Sequence, residues 1–101
     1  MNFKRISVIQ AQAIIADGPC TIADIRDPQS YESGHMPNAV ALNNDNLAKF
    51  IEQQEKDIPL IVCCYHGNSS QQAASYLAEQ GFADCYSLDG GYEAWQLAYE
   101  K

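Results

Sequence analysis

Six residues, Cys64-Tyr65-His66-Gly67-Asn68-Ser69, set one thiol in a short polar loop between two segments of different character. Before them runs the apolar Leu60-Ile61-Val62-Cys63; after them Ser70-Gln71-Gln72-Ala73-Ala74 reads as the start of a helix. A loop entering a helix turns backbone N–H groups, and the positive end of the helix dipole, toward whatever it encloses. A free thiol has a pKa of about 8.5, and a helix N-terminus lowers it to roughly 3.5–7.5. Cys64 is therefore expected to be a thiolate nucleophile that needs no separate general base. Gly67 gives the loop backbone angles closed to other residues, so that successive N–H groups converge on one point. Ser69 is read as the helix cap and as a hydroxyl donor to a bound species. Tyr65, His66 and Asn68 are expected to line the entrance, and His66 is the histidine placed to add charge there.

The other cysteines carry a different expectation. Free cysteine also packs as a small hydrophobe, and only Cys64 has strand, loop and helix start around it. Cys63, the last residue of the apolar run, points to the opposite side of a strand from Cys64 and is read as structural. Cys20 and Cys85 fall at strand starts, at the end away from the loop, and read as core. No Cys-x-x-Cys pair occurs, and adjacent Cys63 and Cys64 are too close for the usual spacing of zinc ligands, so neither a metal site nor disulfides are expected. A Cys63–Cys64 redox pair would need a strained ring between side chains directed oppositely.

Periodicity places the strands and helices around the loop. Phe3 to Ile6 reads as a short strand, and Ser7 as the cap of a helix with Val8, Ala11, Ile14 and Ile15 on one face, ended by Gly18-Pro19. Cys20 to Ile25 is a second strand; Asp27-Pro28 starts a helical turn through Tyr31 and Glu32, broken by Gly34. Ala39 to Leu42 is a third strand, followed by a helix with Leu47, Phe50 and Ile51 on one side. Leu60 to Cys63 lacks polar alternation, as befits a central strand covered on both faces. Ser69-Ser70-Gln71-Gln72 matches a capping box, with Ala73, Ala74, Leu77 and Ala78 as the buried stripe up to Gly81. Cys85 to Leu88 is a fifth strand, and Asp89-Gly90-Gly91 turns into a last helix bearing Ala94, Trp95 and Ala98. This alternation gives one α/β domain over residues 1–101: a five-stranded, mostly parallel sheet with helices on both faces. In such sheets ligands bind beyond the carboxyl ends of the strands, where the cysteine loop lies.

Charge sets the partners. The 101 residues carry a net charge of −7, and their six cations do not form a basic stripe, so nucleic acid is not expected to bind. Any anion site must be built from local dipoles. No apolar run approaches the roughly 20 residues that span a bilayer. Lys4-Arg5 before apolar residues imitates a signal peptide, but Gln10 and Gln12 interrupt the stretch; the expectation is a cytoplasmic protein. Asp24, Arg26 and Glu32 read as a structural ion group that fixes a loop, His35 as a hydrogen-bonded loop residue, and Trp95 as core.

Four separated segments, in order, resemble the rhodanese family over almost the whole chain: Asp24-Ile25-Arg26, Tyr31 to Ala39 (YESGHMPNA), the cysteine loop, and Leu88 to Trp95 (LDGGYEAW). The resemblance implies a rhodanese domain and thiosulfate sulfurtransferase activity that calls for no cofactor. Cys64 would be the catalytic residue and Tyr65 to Ser69 the substrate cradle. The thiolate would take the outer sulfur of thiosulfate as a persulfide, release sulfite, and pass the sulfur to cyanide or to a dithiol such as thioredoxin. Tyr65 stands where some members carry a basic residue, which implies weak thiosulfate binding. Phosphatases and arsenate reductases of the same fold have a loop one residue longer that ends in a clamping arginine; this loop ends in serines. Non-catalytic rhodanese modules, which act in protein interaction, usually lack the cysteine retained here.

Overall fold

The computed structural model describes residues 2–100. The elements run β1 (Lys4–Ile6), α1 (Val8–Asp17), β2 (Thr21–Asp24), α2 (Pro28–Ser33), β3 (Val40–Ala41), α3 (Leu47–Gln53), β4 (Leu60–Cys63), α4 (Ser69–Glu79), β5 (Cys85–Leu88) and α5 (Gly91–Tyr99). The expected α/β architecture is present, and every strand pairing is parallel. The sheet order is β1-β5-β4-β2-β3.

Local chemistry starts and stops these elements. Ser7 caps α1 through a capping box: its Oγ accepts from Gln10 N–H at 3.1 Å while Gln10 Oε1 accepts from Ser7 N–H at 2.8 Å. Asp27 caps α2, with Pro28 in the first turn, where its missing N–H costs nothing. β2 is shorter at each end than Cys20–Ile25, and β3 is two residues rather than Ala39–Leu42.

Parallel strands need crossovers, and here helices supply them on both faces. Ile61 and Cys63 of β4 face a core shared with Ala11, Met36, Tyr92 and Trp95, with Tyr31 of α2 packed against it. Leu60 and Val62 face the other core, with Phe50 of α3, Ala74 and Leu77 of α4, and Phe82. All four β4 residues are buried, which is why the strand reads as an uninterrupted apolar run. The order of strands sets β4 between β2 and β5. The segment that leaves β4 is therefore flanked by those that leave β2 (residues 25–27) and β5 (residues 89–90), all at the carboxyl end of the sheet.

Candidate active site

Cys64 is the first residue beyond β4, and the alternation that sends Cys63 into one core sends Cys64 toward α4 on the other side. The residue is buried, with 2% of its surface exposed. Its Sγ lies 3.2 Å from Gly67 N, 3.3 Å from Ser70 N and 3.2 Å from Ser70 Oγ. Burial alone would raise this thiol's pKa. Hydrogen bonds from the Ser70 hydroxyl and from the Ser70, Gly67 and His66 N–H groups outweigh it and hold the pKa below the ordinary value.

Three carbonyls of the loop, those of Cys64, Tyr65 and Gly67, are engaged elsewhere. Tyr92 N–H donates to Cys64 O at 2.8 Å, Glu93 N–H to Tyr65 O at 3.3 Å, and Gln71 Nε2 to Gly67 O at 2.9 Å. Two of these donors are first-turn N–H groups of α5, which lack intrahelical acceptors. The start of α5 thus draws the carbonyls of the loop away from the sulfur and leaves its N–H groups directed inward. Gly67 and Gly91 permit this contact. A Cβ on Gly91 would stand 2.5 Å from Cys64 O and Tyr65 O, and one on Gly67 would stand 2.8 Å from Gly90 N; both have positive φ, +60° and +92°.

The helix start differs from its expected form. Asn68 occupies the N-cap in an α-helical conformation (φ −92°, ψ −61°) and makes no side-chain cap bond, so the capping box read from Ser69 is not formed. One of the free N–H groups of the first turn, that of Ser70, is met by the cysteine sulfur instead. Ser69, read as the hydroxyl donor, is exposed and lies on the wall of an adjoining cavity of about 580 Å³, with Ile25, Leu42, Leu47, Ala73 and Tyr76. The hydroxyl at the sulfur belongs to Ser70, fully buried and in turn 2.8 Å from the Oγ of Ser87 on β5. Sequence reasoning missed both serines. Ser70 sits at a helical position that alternates with the exposed Ser69, and a serine inside the apolar β5 run was a signal left unused.

Tyr65, His66 and Asn68 are turned outward. The Tyr65 hydroxyl donates to the Asp27 carboxylate and accepts from Asp27 N–H at 3.1 Å, tying the loop to the cap of α2. Hydrogen bonds from Tyr65 and then Ser30 hold the Asp27 carboxyl well below the usual range. His66 Nδ1 is 3.6 Å from Glu93 Oε1 and its side chain is 63% exposed, so it stands at the rim rather than at the sulfur.

The other polar groups are structural. Arg26 bonds both oxygens of the buried Asp24 and donates to Gly34 O at 2.6 Å, with its guanidinium 4.3 Å above the Tyr92 ring. Glu32, expected in this group, is exposed, and none of these bonds involves it. His35 Nδ1 is 2.8 Å from Tyr31 O, and its ring stacks on that of Tyr31. Burial pushes the Cys63 thiol far up and the Cys85 thiol up to about 11. Among the four cysteines, the lowering is confined to Cys64.

Known proteins share this fold and much of this sequence. Residues 7–98 match the family model described as a rhodanese-like domain. The chain is 54% identical over 101 residues to a protein named thiosulfate sulfurtransferase GlpE from Pseudoalteromonas translucida (strain TAC 125), covering all of this chain and 96% of that protein. It is also 54% identical, over 100 residues, to the protein of the same name from Pseudomonas syringae pv. syringae (strain B728a), covering 99% of this chain and 93% of that protein. The crystal structure of a rhodanese-related protein from Thermoplasma volcanium superposes with a TM-score of 0.81 at 23% identity, over 98% of this chain and 96% of that one. Sequence and fold agree over nearly the full length, and the chain belongs to the rhodanese-like family.

Proposed function

We propose that the protein is a thiosulfate sulfurtransferase in which residues 1–101 act as one rhodanese domain and Cys64 carries the sulfur as a persulfide. The observation that carries this reading is a buried thiol whose sulfur meets N–H and hydroxyl donors while the Cys64, Tyr65 and Gly67 carbonyls are held by α5 and Gln71. The full-length relatives of that name support it.

In the first half-reaction the Cys64 thiolate attacks the outer sulfur of thiosulfate. An Sγ–S bond forms, the S–S bond of thiosulfate breaks, and sulfite leaves with the electron pair. The negative charge ends on the outer sulfur of the persulfide. Donors already oriented toward that charge stabilise it without reorganisation, which is the main source of rate in such sites. The cradle then serves both ends of the step: it holds the attacking thiolate and receives the anionic product. Gly67 and Ser70 supply the donors, and Tyr65, His66, Asn68 and Ser69 form the rim that a substrate crosses. In the second half-reaction a thiolate or cyanide attacks the outer sulfur and releases Cys64 as the thiolate. A dithiol such as that of thioredoxin closes to a disulfide and sets free hydrogen sulfide. With no cationic side chain among the described residues bonded to the sulfur, thiosulfate is held weakly. The four cysteines are free thiols, as befits a reducing compartment, and we place the reaction in the cytoplasm.

Incubation with thiosulfate followed by mass spectrometry tests the proposal. One sulfur atom should be gained by the unsubstituted protein and by Cys63→Ser, and none by Cys64→Ser. Retention of the gain in Cys64→Ser, or its loss in Cys63→Ser alone, would reassign the carrier. No gain in any of them would favour a non-catalytic module.

A further inference from the structure

Beneath the cysteine lies a pair of hydroxyls, and its inner member is remote from any substrate. Ser70 Oγ is 3.2 Å from Cys64 Sγ and 2.8 Å from Ser87 Oγ, and both serines are 0% exposed. We propose that Ser87 is a positioning residue for sulfur transfer, whose hydroxyl orders that of Ser70 so that the Ser70 proton is directed at Cys64 Sγ. This rests on the reading of Cys64 as the nucleophile.

A serine hydroxyl has one proton to donate and two lone pairs to accept with. When Sγ is a thiolate it takes the Ser70 proton, and Ser70 Oγ then accepts from Ser87. When Sγ is protonated it donates to Ser70, and Ser70 donates to Ser87. The chain of three atoms reverses its polarity and keeps each of them hydrogen-bonded in both states without backbone movement, while in the thiolate state the Ser87 proton also has an acceptor in Ser70 Oγ. The two states do not benefit equally. A chain of hydrogen bonds that ends on a full charge is polarised along its length, and charge-assisted bonds are roughly twice as strong as neutral ones. Ser87 therefore favours the thiolate.

Position supports the assignment. Ser87 shares a strand face with Cys85, which packs in the α4 core, so its hydroxyl lies beneath the first turn of α4. The ionisable side chains nearest the loop are turned to other partners. Tyr65 bonds Asp27, His66 approaches Glu93, and on β2 Asp24 pairs with Arg26. Cys63, beside Cys64 on β4, lies in the opposite core with its thiol pKa raised by burial.

The test is the pH titration of the Cys64 thiolate by ultraviolet absorbance, taken as the difference between each protein and its Cys64→Ser counterpart. Ser87→Ala should raise the midpoint by about half a pH unit, which is about a threefold fall in thiolate fraction below it. The same change in a Ser70→Ala background should shift nothing further, because Ser87 acts through Ser70. Ser87→Thr and Ser87→Val, which match in shape, keep the test decisive if the alanine variant folds poorly: the threonine should hold the original midpoint and the valine should raise it. An unchanged or lowered midpoint in Ser87→Ala, equal shifts with and without Ser70, or equal shifts in the threonine and valine variants would each overturn the proposal. The titration uses the resting protein, so its result is separate from the sulfur-mass assay, where failure would count against the transfer chemistry itself.

Discussion

At the scale of single residues, the four thiols share one chemistry and differ only in what their sulfur meets. Burial raises Cys20, Cys63 and Cys85, whereas Cys64, also buried, is lowered by donors that stabilise its charge. The difference has a consequence for stability. With the native pKa of Cys64 below the unfolded value of about 8.5, the unfolded chain holds the extra proton between the two, so stability rises with pH across that window. The contribution is complete above the unfolded value and is lost as pH falls through the native one. The raised thiols act in the opposite sense: for Cys85, pushed up to about 11, the unfolded chain ionises first and stability declines above about pH 8.5. Urea denaturation from neutral pH to pH 10 should therefore show the advantage of the unsubstituted protein over Cys64→Ser growing up to about pH 8.5 and then levelling. An advantage that shrinks as pH rises would mean that the donors do not overcome burial. Much of this was legible in the sequence, because a cysteine between an apolar strand and a helix start has few other environments. The sequence reading places the hydroxyl on Ser69, one residue before the Ser70 that the sulfur meets. Ser69 and Ser70 are adjacent, and which of them faces the sulfur depends on where α4 begins.

At the scale of elements, what can be read and what cannot divides along sequence distance. β4 and β5 were placed at their full extents, Leu60–Cys63 and Cys85–Leu88, because each is an apolar run bounded by polar or turn residues. The capping box of α1 was legible, while the like pattern at Ser69 was not realised. An N-cap needs extended backbone, and Asn68 is helical because the loop folds tightly around the sulfur. The role of Gly90-Gly91 was only half visible: a turn into the last helix could be read, but not the seating of that turn on the Cys64 loop, since 23 to 27 residues separate them. Gly91→Ala tests that seating. With a Cβ 2.5 Å from the Cys64 and Tyr65 carbonyl oxygens and φ of +60°, the two loops must part. We expect a loss of about 1–3 kcal/mol in stability together with a large fall in sulfur transfer, as the carbonyls lose their partners on α5. Gly18→Ala is the control. Its backbone is extended and nothing lies within 4 Å of the added carbon, so activity should be unchanged and stability equal or up to about 1 kcal/mol higher. Full activity in Gly91→Ala would show that α5 does not organise the cradle.

At the scale of the whole molecule, a local site for an anion is set in a protein of the same sign. The net charge is −7 and the extents are 35 × 28 × 23 Å, so among the described residues no charge is far from Cys64 compared with the screening length of about 30 Å at 0.01 M salt. In dilute buffer a thiosulfate dianion therefore approaches against the sum of those charges. At physiological ionic strength the screening length falls to about 8 Å, which leaves the main-chain donors at the sulfur in force while muting the distant carboxylates. These two contributions differ in their response to salt because one acts at about 3 Å on a buried sulfur and the other across solvent. The kcat/KM for thiosulfate should consequently rise severalfold between about 0.01 and 0.15 M of an inert salt, the reverse of the behaviour of sites that steer anions with basic patches. Transfer of sulfur from the preformed persulfide to a dithiol, whose attacking thiolate carries one charge rather than two, meets a weaker long-range repulsion and should change less over the same range. Stopped-flow measurement of the two half-reactions separates them. A thiosulfate half-reaction that slows as salt is added would mean that a cationic group draws in the substrate, and that main-chain dipoles are not the principal attraction.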